Sequence, residues 1–127
     1  MDLPSDLRAL LQRPSPCFLA TTMPDGSPHL TETWGDTDGK HILINSVQGF
    51  VKIRNIERDP RVALNVVDPD NPFRYYAIRG RVLRMTTDGA RQHIEKLAHR
   101  YTGAPYSWYG GRDQVRLILT IQADRIS

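Results

Sequence analysis

Asn45-Ser-Val-Gln-Gly-Phe-Val-Lys-Ile-Arg-Asn-Ile-Glu-Arg-Asp-Pro-Arg61 is the stretch whose reading decides the fold. It reads as a strand end, a polar turn, a short helix over about 50–58 and a stop at Asp59-Pro60. The charges are oddly placed. Lys52 and Arg54 fall near the N-terminal end of the helix, where the backbone dipole is already positive and cations are disfavoured. The Ser46 hydroxyl and the amides of the helix start add hydrogen-bond donors. Such a start suits a docked anion such as a phosphate. Taken by itself it suits equally a solvated helix whose basic residues keep it soluble.

Working outward, the chain before this stretch predicts a short amphipathic helix over Ser5–Gln12, with Leu7, Leu10 and Leu11 on one face and Pro14 ending it. Cys17–Met23 is apolar and β-leaning, and Pro24-Asp25-Gly26 supplies a tight turn. Pro28–Trp34 alternates His29, Thr31 and Thr33 against Leu30, Glu32 and Trp34, the period of a strand. Asp36-Thr37-Asp38-Gly39 turns the chain into a third strand, Lys40–Asn45.

After the central helix, Arg61–Val67 predicts a strand and Asp68-Pro69-Asp70-Asn71-Pro72 a loop. Tyr75–Met85 follows as a long strand, in which Gly80 signals a bulge or a close approach. Thr87-Asp88 is the expected cap of a second long helix carrying Ala90, Ile94, Leu97, Ala98 and Tyr101 at helical spacing. His93 and His99 on that helix are expected at solvent. Thr102–Asp113 is an aromatic, glycine-rich loop, and Gln114–Ile121 is the last strand. Six strands joined mainly by hairpins favour a small antiparallel barrel, because parallel pairing would need a crossover helix between most of them.

The composition narrows the partners. A chain of 127 residues makes one domain, with a net charge of +3 that suits anionic small molecules as well as nucleic acid. A single cysteine excludes an internal disulfide framework and fits a reducing cytoplasm, and the acidic, polar N-terminus is unlike a signal peptide. No apolar run approaches membrane-spanning length.

The four histidines form no metal-type pair, and the chain has no G-x-S-x-G elbow, G-x-G-x-x-G or P-loop. Cys17, inside an apolar strand, reads as core rather than nucleophile. Aromatics give the second signal. Phe73 and Tyr75 beside the Asp-Pro loop, and Tyr106, Trp108 and Tyr109 in the late loop, are placed to line a flat ligand's pocket, meet a second subunit or seal the barrel ends.

Lys52, Asn55-Ile56 and Arg58-Asp59-Pro60-Arg61-Val62-Ala63-Leu64, with Tyr75-Tyr76-Ala77-Ile78-Arg79-Gly80-Arg81-Val82 further on, resemble in order and spacing the split-barrel flavin and deazaflavin oxidoreductases. That superfamily includes the pyridoxamine 5′-phosphate oxidase-like proteins, and the similarity covers nearly the whole chain. It implies one domain over residues 1–127, mainly β with α: a six-stranded antiparallel split β-barrel with two to three helices that forms a homodimer. By position, Ser46 and Lys52 would hold a cofactor phosphate, and Thr31, Thr33, Trp34 and Asn45 would border its ring. Phe73 and Tyr75 would cover the ring from the opposite subunit.

The compact form looks most like the branch using the deazaflavin coenzyme F-420, with FMN as the alternative cofactor. Arg54 would then contribute electrostatically toward a polyglutamate tail. Phe50 stands where several relatives carry a polar or basic residue. The segment that binds substrate in true pyridoxamine phosphate oxidases is missing after the last strand, which argues against vitamin B6 oxidation.

The implied activity is hydride transfer from C5 of the reduced deazaflavin to an electron-poor, conjugated small molecule, with solvent, His29 or Tyr75 as the proton source. Two rivals come from other classes. One is a non-catalytic carrier of a flavin, deazaflavin or haem-like ring. The other is a small nucleic-acid-binding barrel, disfavoured because the basic residues gather at a helix start rather than along a strand face.

Overall fold

The computed structural model describes all residues, Met1–Ser127. Three helices and six strands alternate along the chain: α1 (Ser5–Leu11), β1 (Pro16–Thr22), β2 (Pro28–Thr37), β3 (Ile42–Val47), α2 (Val51–Arg58), β4 (Arg61–Asp68), β5 (Asn71–Thr86), α3 (Ala90–Thr102) and β6 (Arg116–Ile126). Every strand pairing is antiparallel. The strands close a barrel in the order β1-β2-β3-β6-β5-β4, so no edge is left open. The fold is the expected six-stranded barrel. None of its helices is long and apolar enough to cross a membrane.

Alternation sets what lies inside. Cys17 and Leu19 of β1, Ile42 and Ile44 of β3, Leu64 and Val66 of β4, and Leu119 and Ile121 of β6 point into the barrel and are buried. Leu7, Leu10 and Leu11 of α1 join them near the Pro16 end of β1, where Ser15 Oγ donates to the Leu10 carbonyl at 2.6 Å. Ile53 and Ile56 of α2 fill in near the other end of that strand, and Asn55 Nδ2 donates to Thr21 Oγ1 at 3.0 Å. Glycine at position 80 is required by a close approach: a Cβ there would lie 2.1 Å from the Gln122 carbonyl oxygen, beside a register shift between Arg79 and Gly80.

The third helix does not enter the barrel. It lies across the outward-facing side of β2, β3 and β6, and several of the sequence expectations fail around it, at the β4–β5 hairpin and at the last strand. Asp36 and Thr37 belong to β2 rather than to a turn, and Asp36 is buried beneath α3. His93 is buried as well, only 8% exposed, because it shares the face of Ala90 and Leu97; His99 is exposed as expected.

Gly89, at φ +74°, rather than a Thr87 or Asp88 side chain, precedes the first turn of α3. The Asp68–Pro72 loop shrinks to a turn at Pro69-Asp70, since Asp68 already pairs with Asn71. Phe73 and Tyr75 therefore stand within β5, not beside a loop. β6 starts at Arg116, so Gln114 and Val115 precede it, and it runs on past Ile121.

Candidate functional site

A cleft of about 500 Å³ opens where β2, β3 and β6 meet the start of α2 and the loop after α3. Thr33 and Trp34 come from β2, Asn45 and Ser46 from β3, and Lys52 from α2. Five of the sequence candidates are thus brought to one place. Phe50, Tyr106, Tyr109 and Arg116 complete its walls. Thr31 and Arg54 lie in an adjoining hollow with His29, which Phe50 and Lys52 share with the main cleft. Phe73 and Tyr75 reach neither; they are exposed on the outer face of β5.

Two cations define the electrostatics. Lys52 and Arg116 line the cleft, and neither takes part in any ion pair of the chain. Burial, and then the charge of Arg116, hold the Lys52 ammonium below its ordinary value. Burial also lowers Arg116, with Tyr106 acting in the opposite sense. Glu32, exposed at the rim, is the carboxylate of the lining and bridges to neither cation.

Helix α2 begins at this cleft with no side-chain cap, which leaves the first amides of its backbone available. Thr31 Oγ1 and His29 Nδ1 are buried without a hydrogen-bond partner, in the hollow beside Lys52. A pair of cations without a carboxylate partner, uncapped amides and an orphaned hydroxyl gather a set of donors around one space. That set fits the phosphate and polar ring edge of a flavin-type cofactor.

The flat wall is built by the loop after α3. Glu95 of α3 accepts from the Tyr106 amide at 3.1 Å and from Trp108 Nε1 at 3.0 Å. Trp108, at φ +53°, has the guanidinium groups of Arg91 and Arg112 over its ring, 4.4 and 5.2 Å from the ring centre. Tyr106 then meets Trp34 edge-on at 6.4 Å, and Trp34 stacks on Tyr101 at 5.4 Å. Trp108 is therefore a brace, while Tyr106 and Tyr109 face the cleft. Thr33 is oriented inward by a hydrogen bond from Oγ1 to the Cys17 carbonyl at 3.1 Å.

Arg116 is the principal residue that sequence reasoning missed. Nothing marks it within the predicted strand Gln114–Ile121, and only the pairing of β3 with β6 brings it beside Asn45, whose Oδ1 accepts from Arg116 Nε at 2.8 Å. A signal for buried His93 did exist in the sequence: its spacing from Ala90 and Leu97 matches the apolar face of α3.

Comparison with known proteins agrees with this architecture. The family model described as pyridoxamine 5′-phosphate oxidase matches residues 3–127. A solved F-420 reductase is 34% identical, with a TM-score of 0.85 over 98% of both chains. A conserved hypothetical protein from Mycobacterium tuberculosis is 26% identical, with a TM-score of 0.66 over 98% of this chain and 84% of its own. A structure described as a putative pyridoxamine 5′-phosphate oxidase from Listeria innocua shares the fold, at 20% identity and a TM-score of 0.70 over 96% and 94% of the two chains. Among curated proteins, none matches the sequence.

Proposed function

The chain belongs to the pyridoxamine 5′-phosphate oxidase family, and from that premise we propose that it is an oxidoreductase that binds coenzyme F-420 in the cleft beside α2. The observation that carries the proposal is the pair of cations without a carboxylate partner, Lys52 and Arg116, set among aromatic side chains. Similarity to an F-420 reductase supports the deazaflavin over FMN.

When bound, the deazaflavin ring supplies a hydride to an electron-poor conjugated substrate. The chain's own side chains do the rest. Lys52, Ser46 and the first amides of α2 hold the phosphate, and Arg116 adds a second charge to it. Thr31 and Thr33, with Asn45, border the ring edge, while Trp34 and Tyr106 exclude water from one side. Arg54, at the mouth of the adjoining hollow, attracts the acidic tail. His29 has a buried ring nitrogen with no partner and is the side chain available to pass a proton.

The active form in this proposal is a homodimer. Leu30 of β2 and Phe73, Tyr75 and Leu83 of β5 are large apolar side chains left exposed on the outside of the barrel, and they suit contact with a second copy of the chain. Phe73 and Tyr75 would then cover the partner's cleft.

Titration of the purified protein with F-420 and with FMN, followed by fluorescence, tests the cofactor. Reduced F-420 with a panel of enones and quinones then tests turnover. Tight binding without turnover of any acceptor would leave a carrier protein and sink the enzyme reading. Binding of neither cofactor refutes the site.

A further inference from the structure

Two like charges in one cleft repel, and a long arginine left to itself turns out to water. Arg116 is held at one side by the Tyr106 hydroxyl, which accepts from its Nη1 at 3.2 Å, and at the other by a chain of buried hydrogen bonds. Its Nε donates to Asn45 Oδ1 at 2.8 Å. Asn45 Nδ2 donates to the Ala90 carbonyl at 2.9 Å and lies 3.1 Å from His93 Nδ1. His93 Nε2 lies 2.9 Å from Asp36 Oδ2. Arg100 closes the far end, donating to Asp36 Oδ1 and to the Leu11 carbonyl, both at 2.9 Å.

We infer that Asp36 and His93 are positioning residues that act through Asn45 to lock the Arg116 guanidinium toward the cleft, assembling the anion site before its ligand arrives. The inference rests on the reading of the cleft as a cofactor-phosphate site.

Every donor and acceptor in the chain has a forced sense. The Ala90 carbonyl and the Arg116 Nε–H fix which end of the Asn45 amide is nitrogen, since a flip would set donor against donor and oxygen against oxygen. His93 Nδ1 must then accept, which puts the ring hydrogen on Nε2, donating to Asp36. Asp36, Asn45, His93 and Arg116 are each less than a tenth exposed, so water does not compete.

Asp36 and His93 do not line the cleft, so their effect on a ligand is indirect. An apolar contact between α3 and the sheet would hold the helix at a lower desolvation cost. What the polar chain adds is direction, ending on one of the two cations of the site.

The first test uses the ligand-free wild-type protein: the Arg116 Nε–H resonance should exchange slowly compared with that of exposed Arg8. Slow exchange should disappear in His93→Leu and persist in His93→Gln, whose amide again offers one donor and one acceptor. Affinity for F-420, FMN and inorganic pyrophosphate should fall roughly tenfold in His93→Leu, as the ordering cost of one arginine moves to the binding step. His93→Gln should stay within about threefold of wild type. In an Arg116→Met background, His93→Leu should cost nothing further.

Fast exchange of Arg116 Nε–H in the wild type overturns the relay, and that measurement needs no variant to fold. So does additivity of the two substitutions. Failure of the wild type to bind any of the three ligands overturns the reading of the cleft instead, a separate result.

Discussion

Replacing Lys52 with methionine should move stability and ligand affinity in opposite directions. The ammonium of Lys52 is half-buried, has no carboxylate partner and sits in the field of Arg116, two effects that both lower its pKa. In the free protein this charge is therefore a liability, and methionine keeps the length of the side chain without it. Stability should be unchanged or up to about 1 kcal/mol higher, which raises the melting midpoint by no more than roughly 5 °C in a domain of this size.

With an anion bound, the same charge becomes a charge-assisted contact of about 1.5–3 kcal/mol, so the dissociation constant should rise roughly ten- to 150-fold. Calorimetric melting of the free protein and fluorescence titration with F-420 and FMN measure the two sides. The pH dependence has a defined sign. A bound anion favours protonated Lys52, so affinity is complete while the free protein's ammonium is charged and falls as pH rises through its lowered pKa. Unchanged affinity for both cofactors would refute the phosphate assignment. A large loss of stability would refute the claim that Lys52 has no partner.

Gly80→Ala should cost at least about 1–3 kcal/mol, seen as a lower denaturation midpoint, because the obstructing atom is the backbone oxygen of Gln122 and cannot rotate away. Burial alone would raise the Asp36 carboxyl, but the hydrogen bonds from His93 and Arg100 outweigh it and hold it well below the carboxylate range. Its stabilisation is therefore complete above an unfolded value near pH 4 and is lost as pH falls toward the folded one. Asp36→Asn should lose about 3–5 kcal/mol at neutral pH and show a shallower acid decline, by urea melts at several pH values. Cys17, whose thiol burial pushes up to about 12, should resist alkylation in the native state and react only at the rate of unfolding; rapid native labelling would contradict its burial. Tyr75→Glu combined with Leu30→Glu should halve the mass seen by light scattering and weaken cofactor binding. An unchanged mass would refute the dimer face.

The barrel was legible in the sequence because its signals are local. Alternation in Cys17–Met23 and Pro28–Trp34, turn chemistry at Pro24-Asp25-Gly26 and the stop at Asp59-Pro60 act over a few residues, and six such strands with few crossovers leave a closed antiparallel sheet as the economical solution. One corner of the candidate cleft was legible for the same reason: Asn45, Ser46 and Lys52 lie within one strand–turn–helix unit. Errors arose where local polarity was taken for exposure. Asp36 reads as a turn former and His93 as a surface histidine, and each is buried because the other, with Arg100 and Asn45, satisfies it.

By itself, then, the sequence determined the elements, their antiparallel pairing and the basic start of α2. Only the tertiary structure decided that Arg116, 64 residues beyond Lys52, shares its cleft. Strand pairing between β3 and β6 depends on closing the whole barrel, so no window of neighbouring residues contains it.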